Sequence, residues 1–139
     1  MKVVTDYIPI STKGHNDIID ITNQVAESVK NSSIKNGTAT VFVSGSTAGV
    51  TTIEYEPGLL KDLPETFEEI APMNKRYHHN DTWHDGNGYA HVRSALLGPS
   101  ITVPFNDTRM LLGTWQQIVI IDFDNRNRQR EIVVQILGE

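Results

Sequence analysis

Two β-branched segments near the C-terminus limit the choice of folds more than any other part of the sequence. Gln117 to Phe123 and Glu131 to Leu137 are rich in isoleucine and valine, which favour strands. Asp124 to Asn127 separates them and contains the asparagine and aspartate residues typical of turns. The pattern predicts an antiparallel hairpin, and hence a fold whose sheets are mainly antiparallel.

Similar patterns elsewhere predict about eight strands and two or three helices in an α+β fold with mostly antiparallel sheets. The other predicted strands are Lys2 to Ile10, Thr38 to Ser44, Val50 to Tyr55, Ile101 to Phe105 and Arg109 to Leu112. The predicted helices run from Asn16 or Asp17 to Asn31, from Leu59 to Ile70 and from Tyr89 to Leu97. Pro64 could divide the second helix into two turns, and we expect Asn87 to cap the third and Gly98-Pro99 to end it.

Length and composition favour a single domain over residues 1–139, long enough to bury a core. The chain has no cysteine, which excludes disulfides and thiolate metal sites and favours a reducing compartment. Its formal net charge of −5 argues against a nucleic-acid partner. Because no long apolar segment is present, we expect neither a signal peptide nor a membrane span, and we predict a cytoplasmic protein.

Tyr77 to Arg93, here called the histidine segment, contains four of the five histidines of the chain. Gly86, Asn87 and Gly88 make its middle flexible enough to bring backbone N–H groups near a ligand. His91 follows in the first turn of a predicted helix, where free N–H groups attract anions and favour a neutral imidazole. Together with Arg93, these residues predict a phosphate-binding site.

The same segment also allows two other interpretations. His79, His84, Asp85 and His91 could hold a divalent metal such as Mg²⁺ or Zn²⁺, with Glu54 as an additional carboxylate. Alternatively, the segment is only a solvated polar loop whose histidines bond to their neighbours. Residue chemistry alone leaves these alternatives open.

Three further features have a functional and a structural interpretation each. Arg126, Arg128 and Arg130 could reach a phosphate, or could be solvated or paired with Asp122, Asp124 or Glu131. Trp83 and Trp115 could stack on a planar ring, or pack in a core or an interface. The run of small residues from Gly45 to Gly49 suits a tight backbone passage or a close subunit contact.

Several segments together resemble the YjbQ-like family, which is described as secondary thiamine-phosphate synthases. They are GSTAGVTTIEYEP (Gly45 to Pro57), the histidine segment, HVRSALLGPS (His91 to Ser100), GTWQQI (Gly113 to Ile118) and the closing REIVVQILGE. The resemblance covers about two-thirds of the chain. It implies an α+β fold with β-sandwich-like sheets, and a homotrimer with sites near the subunit contacts.

The resemblance also implies roles for individual residues. His91, His79 and Glu54 match polar positions of the family and are our candidate catalytic residues. The candidate substrate- or phosphate-binding residues are Gly86, Asn87, Gly88, Arg93, Arg130, Thr114, Trp115 and Gln116, of which the last three belong to the GTWQ motif and Arg130 matches a family arginine. This chain departs from the family at Gly45 and Tyr89, where members usually or often have histidine.

The resemblance implies an enzyme with weak or secondary thiamine-phosphate synthase activity. That reaction joins a pyrimidine-methyl diphosphate to a thiazole phosphate and releases pyrophosphate. One alternative is a trimeric module that binds a phosphorylated metabolite without turnover. Another is metal-assisted hydrolysis by His79, His84, Asp85 and His91.

Overall fold

The computed structural model describes residues 1–139 and contains eight strands and four helices. The strands are β1 (Lys2–Thr12), β2 (Asp17–Asp20), β3 (Gly37–Val43), β4 (Ala48–Ile53), β5 (Ser100–Asn106), β6 (Arg109–Met110), β7 (Gln117–Asp122) and β8 (Arg128–Gly138). The helices are α1 (Thr22–Asn31), α2 (Pro57–Ile70), α3 (His78–Trp83) and α4 (Gly88–Leu97). None of the helices combines the length and hydrophobicity needed to cross a bilayer.

The strands form two sheets, and every strand pair is antiparallel. The larger sheet has the order β1-β8-β3-β5-β6, and the smaller has the order β2-β7-β4. This confirms the α+β class with mainly antiparallel sheets. The hairpin around Asn106 to Thr108 is also confirmed, since Phe105 faces Met110 across it.

The predicted C-terminal hairpin is wrong, because β7 and β8 lie in different sheets. β8 pairs with β1 on one side and β3 on the other, so both of its edges are filled. β7 is likewise central, between β2 and β4. The turn after Phe123 reverses the chain as predicted, but it carries the backbone from one sheet to the other. β7 and β8 follow each other in the sequence but do not pair with each other.

The prediction that the first helix begins at Asn16 or Asp17 is also wrong. Asp17 to Asp20 forms β2, paired with β7 from Asp122 to Val119. The helix begins at Thr22, whose backbone N–H and hydroxyl both donate to Asp20 Oδ1, at 3.0 and 2.6 Å. Tertiary pairing to β7 decides the conformation of these four residues, because their apolar spacing suits either element.

The second predicted helix is continuous and longer than expected. α2 begins at Pro57 and passes through Pro64 without a break. The Glu56 carboxylate caps it by accepting from the backbone N–H groups of Gly58 and Leu59. Pro64 has no N–H group and so leaves one helical hydrogen bond unmade. Packing of Phe67 in the core stabilises the helix at this point.

Two hydrophobic clusters lie on opposite faces of the smaller sheet. Ile118 and Ile120 of β7 face the larger sheet and α1, whereas Val119 and Ile121 face α2 and α4. The order of layers is thus the larger sheet with α1, then the smaller sheet, then α2 and α4. At one end of these layers, the β3–β4 loop, the region from α3 to α4 and the start of β8 come together.

Candidate functional site

A cavity of about 390 Å³ opens where these three regions meet. Polar side chains dominate its wall, and Trp83 is its single large apolar side chain. The lining residues are Gly45, Ser46, Thr47, His79, Trp83, Asp85, Asn87, His91, Arg128 and Arg130. A polar concavity of this size suits a small, charged ligand.

His79 and His91 form a pair on one wall of the cavity. His79 lies in α3 and His91 in the first turn of α4, and their ring centroids are 4.1 Å apart. Burial lowers the pKa of His91 below its usual value, and the neighbouring His79 and Arg128 add to this effect. His91 is therefore neutral at pH 7 and can accept a proton.

Two polar atoms of residues that line the cavity are buried without a hydrogen-bond partner. They are His79 Nε2 and Asn87 Oδ1. Asp85 Oδ1 lies 3.6 Å from His79 Nε2, which is too long for a good hydrogen bond. Nearly all buried polar atoms in proteins are paired, so these two atoms are free to bond to a ligand. The third unpaired buried atom, the Tyr89 hydroxyl, belongs to a residue that does not line the cavity.

Arg130 also lines the cavity and is held by a buried carboxylate. Its Nε and Nη2 donate to the two oxygens of Asp122 at 2.7 and 3.0 Å, and Nη2 also donates to Thr47 Oγ1 at 2.6 Å. Asp122 is fully buried and also accepts from the Thr12 hydroxyl. The Nη1 group of Arg130 makes no hydrogen bond within the chain. These hydrogen bonds orient the guanidinium group and leave Nη1 free to donate to a ligand.

Asp124 organises the neighbouring part of the wall. Its Oδ2 accepts from Arg128 Nε at 2.7 Å and from the Thr47 hydroxyl at 3.0 Å, and its Oδ1 accepts from Asn87 Nδ2 at 3.2 Å. Burial alone would raise the pKa of Asp124, but these hydrogen bonds and that from the Asn125 N–H lower it to about 2. The ionised carboxylate therefore ties together three segments that line the cavity.

Some predicted site residues line the cavity and others do not. His79, Asp85, Asn87, His91 and Arg130 line it. Glu54, His84, Gly86 and Gly88 do not. Glu54 follows β4 as an exposed residue, and the Gly88 N–H already donates to Asn80 Oδ1 at 3.0 Å. The conformation of the histidine segment also differs from the expected loop, because α3 occupies six of its residues.

Arg93 lies outside the cavity, in the layer between α4 and α2. Its side chain is 1% exposed and donates to Ala71 O, Asn16 Oδ1 and Glu68 Oε2 at 3.0, 3.0 and 2.6 Å. Its neighbour Tyr89 is also buried, with the guanidinium 4.9 Å from the ring centroid. Arg93 thus joins α4, the end of α2 and the β1–β2 loop, and the geometry does not favour its predicted phosphate contact.

The GTWQ segment is likewise separate from the cavity. Gln116 lines a different groove, next to Thr52 and Leu111. Its side chain accepts from the Gly113 N–H and donates to Thr52 Oγ1, each at 3.0 Å. Thr114 and Trp115 are exposed, and 70% of Trp115 is accessible. Within one chain, this motif does not meet the histidine pair.

Nowhere in the structure do three histidine, aspartate or glutamate side chains converge as a metal site. His79, Asp85 and His91 line one cavity, but their donor atoms are not placed as a ligand set, and His84 does not line that cavity. The residues as arranged do not fit the predicted divalent metal.

Ser46 and Thr47 are lining residues that the sequence analysis did not select as site residues. The signal for them was the run of small residues from Gly45 to Gly49, which fits the tight backbone passage predicted there. Thr47 links the two arginines, since its hydroxyl donates to Asp124 and accepts from Arg130. Arg128 and Arg130 are paired with Asp124 and Asp122, as one of the two interpretations predicted, and both also face the cavity.

Comparison with known proteins identifies the family. The UPF0047 protein YjbQ-like family matches residues 6–139. The chain belongs to this family. A UPF0047 protein of Methanothermobacter thermautotrophicus is 37% identical over 139 residues, which cover 100% of this chain and 95% of that protein. UPF0047 protein YugU of Bacillus subtilis is 33% identical over 132 residues, covering 94% and 97% of the two chains.

Solved structures of similar proteins have the same fold. A YbjQ-like protein of unknown function from Sulfolobus solfataricus superposes with a TM-score of 0.94 at 36% identity, covering 99% of both chains. A hypothetical protein from Aeropyrum pernix superposes with a TM-score of 0.91 at 31% identity, covering 98% of this chain and 99% of its own. These comparisons establish the family and the fold, and they assign no activity.

Proposed function

We propose that the cavity binds a phosphorylated small molecule through Arg128 and Arg130, and that His91 with His79 exchanges a proton with it. One observation carries the proposal: two guanidinium groups, each fixed by a buried carboxylate, face the same cavity as a pair of histidines. Fixed guanidinium groups suit phosphate, because their N–H donors match its oxygens without further loss of side-chain freedom.

The charges around the cavity are consistent with this use of the arginines. Asp122 and Asp124 compensate the two positive charges from behind, and both are fully buried. They use the Nε and Nη2 edges of the guanidinium groups, so a ligand in the cavity would contact the remaining donors. Binding then depends on oriented N–H groups rather than on net charge, which agrees with the acidic composition of the chain.

The histidines supply chemistry next to the bound phosphate. A neutral His91 offers one acceptor nitrogen and one N–H donor, which suits proton exchange with a hydroxyl or a leaving-group oxygen. Trp83, 70% exposed at the cavity wall, offers an indole surface for a planar ring. A phosphorylated molecule with a ring would therefore bind the arginines through its phosphate and Trp83 through its ring.

The specific reaction that we propose is the one that the family resemblance implies. The thiazole nitrogen attacks the pyrimidine methylene carbon, a C–N bond forms, the C–O bond to the diphosphate breaks, and pyrophosphate leaves with the bonding electron pair. In this chain, Arg128 and Arg130 would stabilise the charge that develops on the leaving pyrophosphate. We propose this activity as weak or secondary, because the cavity has glycine where the family usually has a histidine.

The experiment compares two histidine variants that differ in location. His91→Ala removes the cavity imidazole, whereas His78→Ala removes a neighbouring histidine whose side chain is 91% exposed and lies outside the cavity. Thermal stability is measured with and without inorganic phosphate, pyrophosphate and thiamine phosphate. Thiamine phosphate formation from the two phosphorylated precursors is measured in parallel, before and after treatment with a chelator.

The outcomes separate the candidate functions. Phosphate-dependent stabilisation with product formation that His91→Ala loses and His78→Ala keeps would support the proposed enzyme. Stabilisation without product would favour the binding module. Loss of activity after chelation would restore the metal-assisted alternative, and no response to any phosphate compound would overturn the proposal.

The homotrimer implied by the resemblance stays a prediction. Leu111 and Trp115 next to the second groove are 61% and 70% exposed, and such apolar side chains are common in subunit contacts. Light scattering on the purified protein gives the mass directly, and a monomer would contradict the prediction.

A further inference from the structure

Among the glycines of the chain, Gly45 is the one where a side chain would collide with Arg130. A Cβ atom built on Gly45 would lie 2.7 Å from Arg130 Nη1, closer than real Cβ contacts allow. The next Arg130 atom is 3.8 Å away, so Nη1 is the group that Gly45 leaves uncovered. Gly45 therefore controls access to the one Arg130 nitrogen without a partner in the chain.

Arg130 cannot easily move away from such a side chain. Its other two nitrogens are hydrogen-bonded to Asp122 and Thr47, and Asp122 is fully buried. Displacing the guanidinium would leave the carboxylate unpaired in the interior, which is costly. The backbone of Gly45 also has φ +149°, which residues with a side chain rarely adopt.

The two arginines differ in depth. The Arg128 side chain is 33% exposed and that of Arg130 is 8% exposed. They are two residues apart on β8 and point to the same side, so their Cα atoms are roughly 7 Å apart. Gly45 lies against Nη1 of the deeper arginine, so an anionic group that bonds to this nitrogen lies beside Gly45. A terminal phosphoryl group can do so, whereas a phosphate substituted on two sides would place a substituent against the wall.

We propose that Gly45 is a specificity-determining residue of the cavity: without a side chain, it opens Arg130 Nη1 to the ligand and selects phosphomonoesters over phosphodiesters. This inference rests on the proposed phosphate-binding function and names the class of phosphate that the cavity accepts.

The experiment compares two glycine substitutions with different surroundings. Gly45→Ala places a methyl group against Arg130 Nη1. Gly98→Ala, at the end of α4, also introduces a side chain at positive φ (+94°), but its Cβ would meet nothing within 4 Å and it is not a cavity residue. Titration calorimetry at constant ionic strength gives the Kd of inorganic phosphate, methyl phosphate and dimethyl phosphate for the wild type and both variants.

We expect the wild type to bind phosphate and methyl phosphate at least about tenfold more tightly than dimethyl phosphate. Gly45→Ala should raise the Kd of the first two by roughly 10- to 100-fold, the effect of losing a charge-assisted hydrogen bond, and Gly98→Ala should leave them unchanged. Equal phosphate binding by Gly45→Ala and the wild type would overturn the inference while the proposed function stands. No phosphate binding by the wild type would overturn both.

A measurement on the wild type covers the case in which Gly45→Ala does not fold. The ¹⁵N resonances of the Gly45 amide and Arg130 Nε are followed by NMR as methyl phosphate is added. We expect both resonances to shift as methyl phosphate is added, and the Kd from these shifts to equal the Kd from calorimetry. If neither resonance moves while calorimetry detects binding, the ligand does not reach Arg130 and the inference fails.

Discussion

Arg93 and Arg130 are both buried arginines paired with a carboxylate, but they have different surroundings. Arg93 uses all three of its nitrogens in hydrogen bonds within the chain. Arg130 uses two and keeps Nη1 at the cavity. Burial and ion pairing therefore do not distinguish the arginine that we propose for binding from a structural one. The distinguishing feature is a donor with no partner in the chain that faces a cavity.

Their carboxylate partners differ as well. Glu68 beside Arg93 is 50% exposed, whereas Asp122 beside Arg130 is fully buried. A half-exposed carboxylate regains water when its partner is removed, and a buried one does not. The Arg130 region should therefore be the more sensitive to substitution, both in stability and in ligand binding.

Arg130→Met should have the largest effect. It leaves Asp122 buried without its main partner, so we expect the free energy of unfolding to fall by about 3–5 kcal/mol and phosphate binding to be lost. Urea denaturation and titration calorimetry with inorganic phosphate measure the two effects. Combining it with Asp122→Asn should recover part of the stability but none of the binding. Retained phosphate binding in Arg130→Met would contradict the proposed difference between Arg130 and Arg93.

Arg93→Met should destabilise the protein less and leave binding unchanged. We expect a loss of about 1–3 kcal/mol, because the Ala71 carbonyl loses its donor while Glu68 becomes hydrated. The same two measurements apply. A large rise in the Kd for phosphate, in a variant that is still folded, would show that the Arg93 region contributes to the site after all.

Asp124→Asn removes one carboxylate charge beside the cavity, and the size of its effect on stability depends on pH. The folded pKa of about 2 lies below the usual 3.8, so the ionised carboxylate stabilises the fold at and above about pH 5. That contribution, about 2 kcal/mol, is lost as the pH falls from about 4 towards 2. Urea denaturation of wild type and variant across this range should give curves that converge at low pH. Parallel curves would contradict the role of the Asp124 charge.

Much of the fold followed from local patterns. Alternating β-branched residues predicted β1, β3, β5 and β8, and the Gly98-Pro99 pair predicted the end of α4. These signals depend on residues close together in sequence. Asp17 to Asp20 lacked such a signal, because its strand exists only through pairing with β7.

The site was predictable where one segment contributes several residues to it. His79, Asp85, Asn87 and His91 come from one stretch of the chain, whose density of histidine and glycine suggested a site. The run of small residues marked the loop that contains Thr47, but the contacts of Thr47 are evident only in three dimensions, because it reaches the cavity from a loop between strands. Its hydrogen bonds to Asp124 and Arg130 join residues about eighty positions away.

By itself, the sequence determined the α+β class, the family and the segment that carries the histidines, since periodicity, turn residues and motifs are local properties. Only the tertiary structure decided that β7 and β8 separate into two sheets and that Arg130, rather than Arg93, faces the cavity. The physical reason is that the partner of a strand edge, and the acceptor for an arginine N–H, come from residues that are distant in the sequence. No pattern of neighbouring residues specifies those partners.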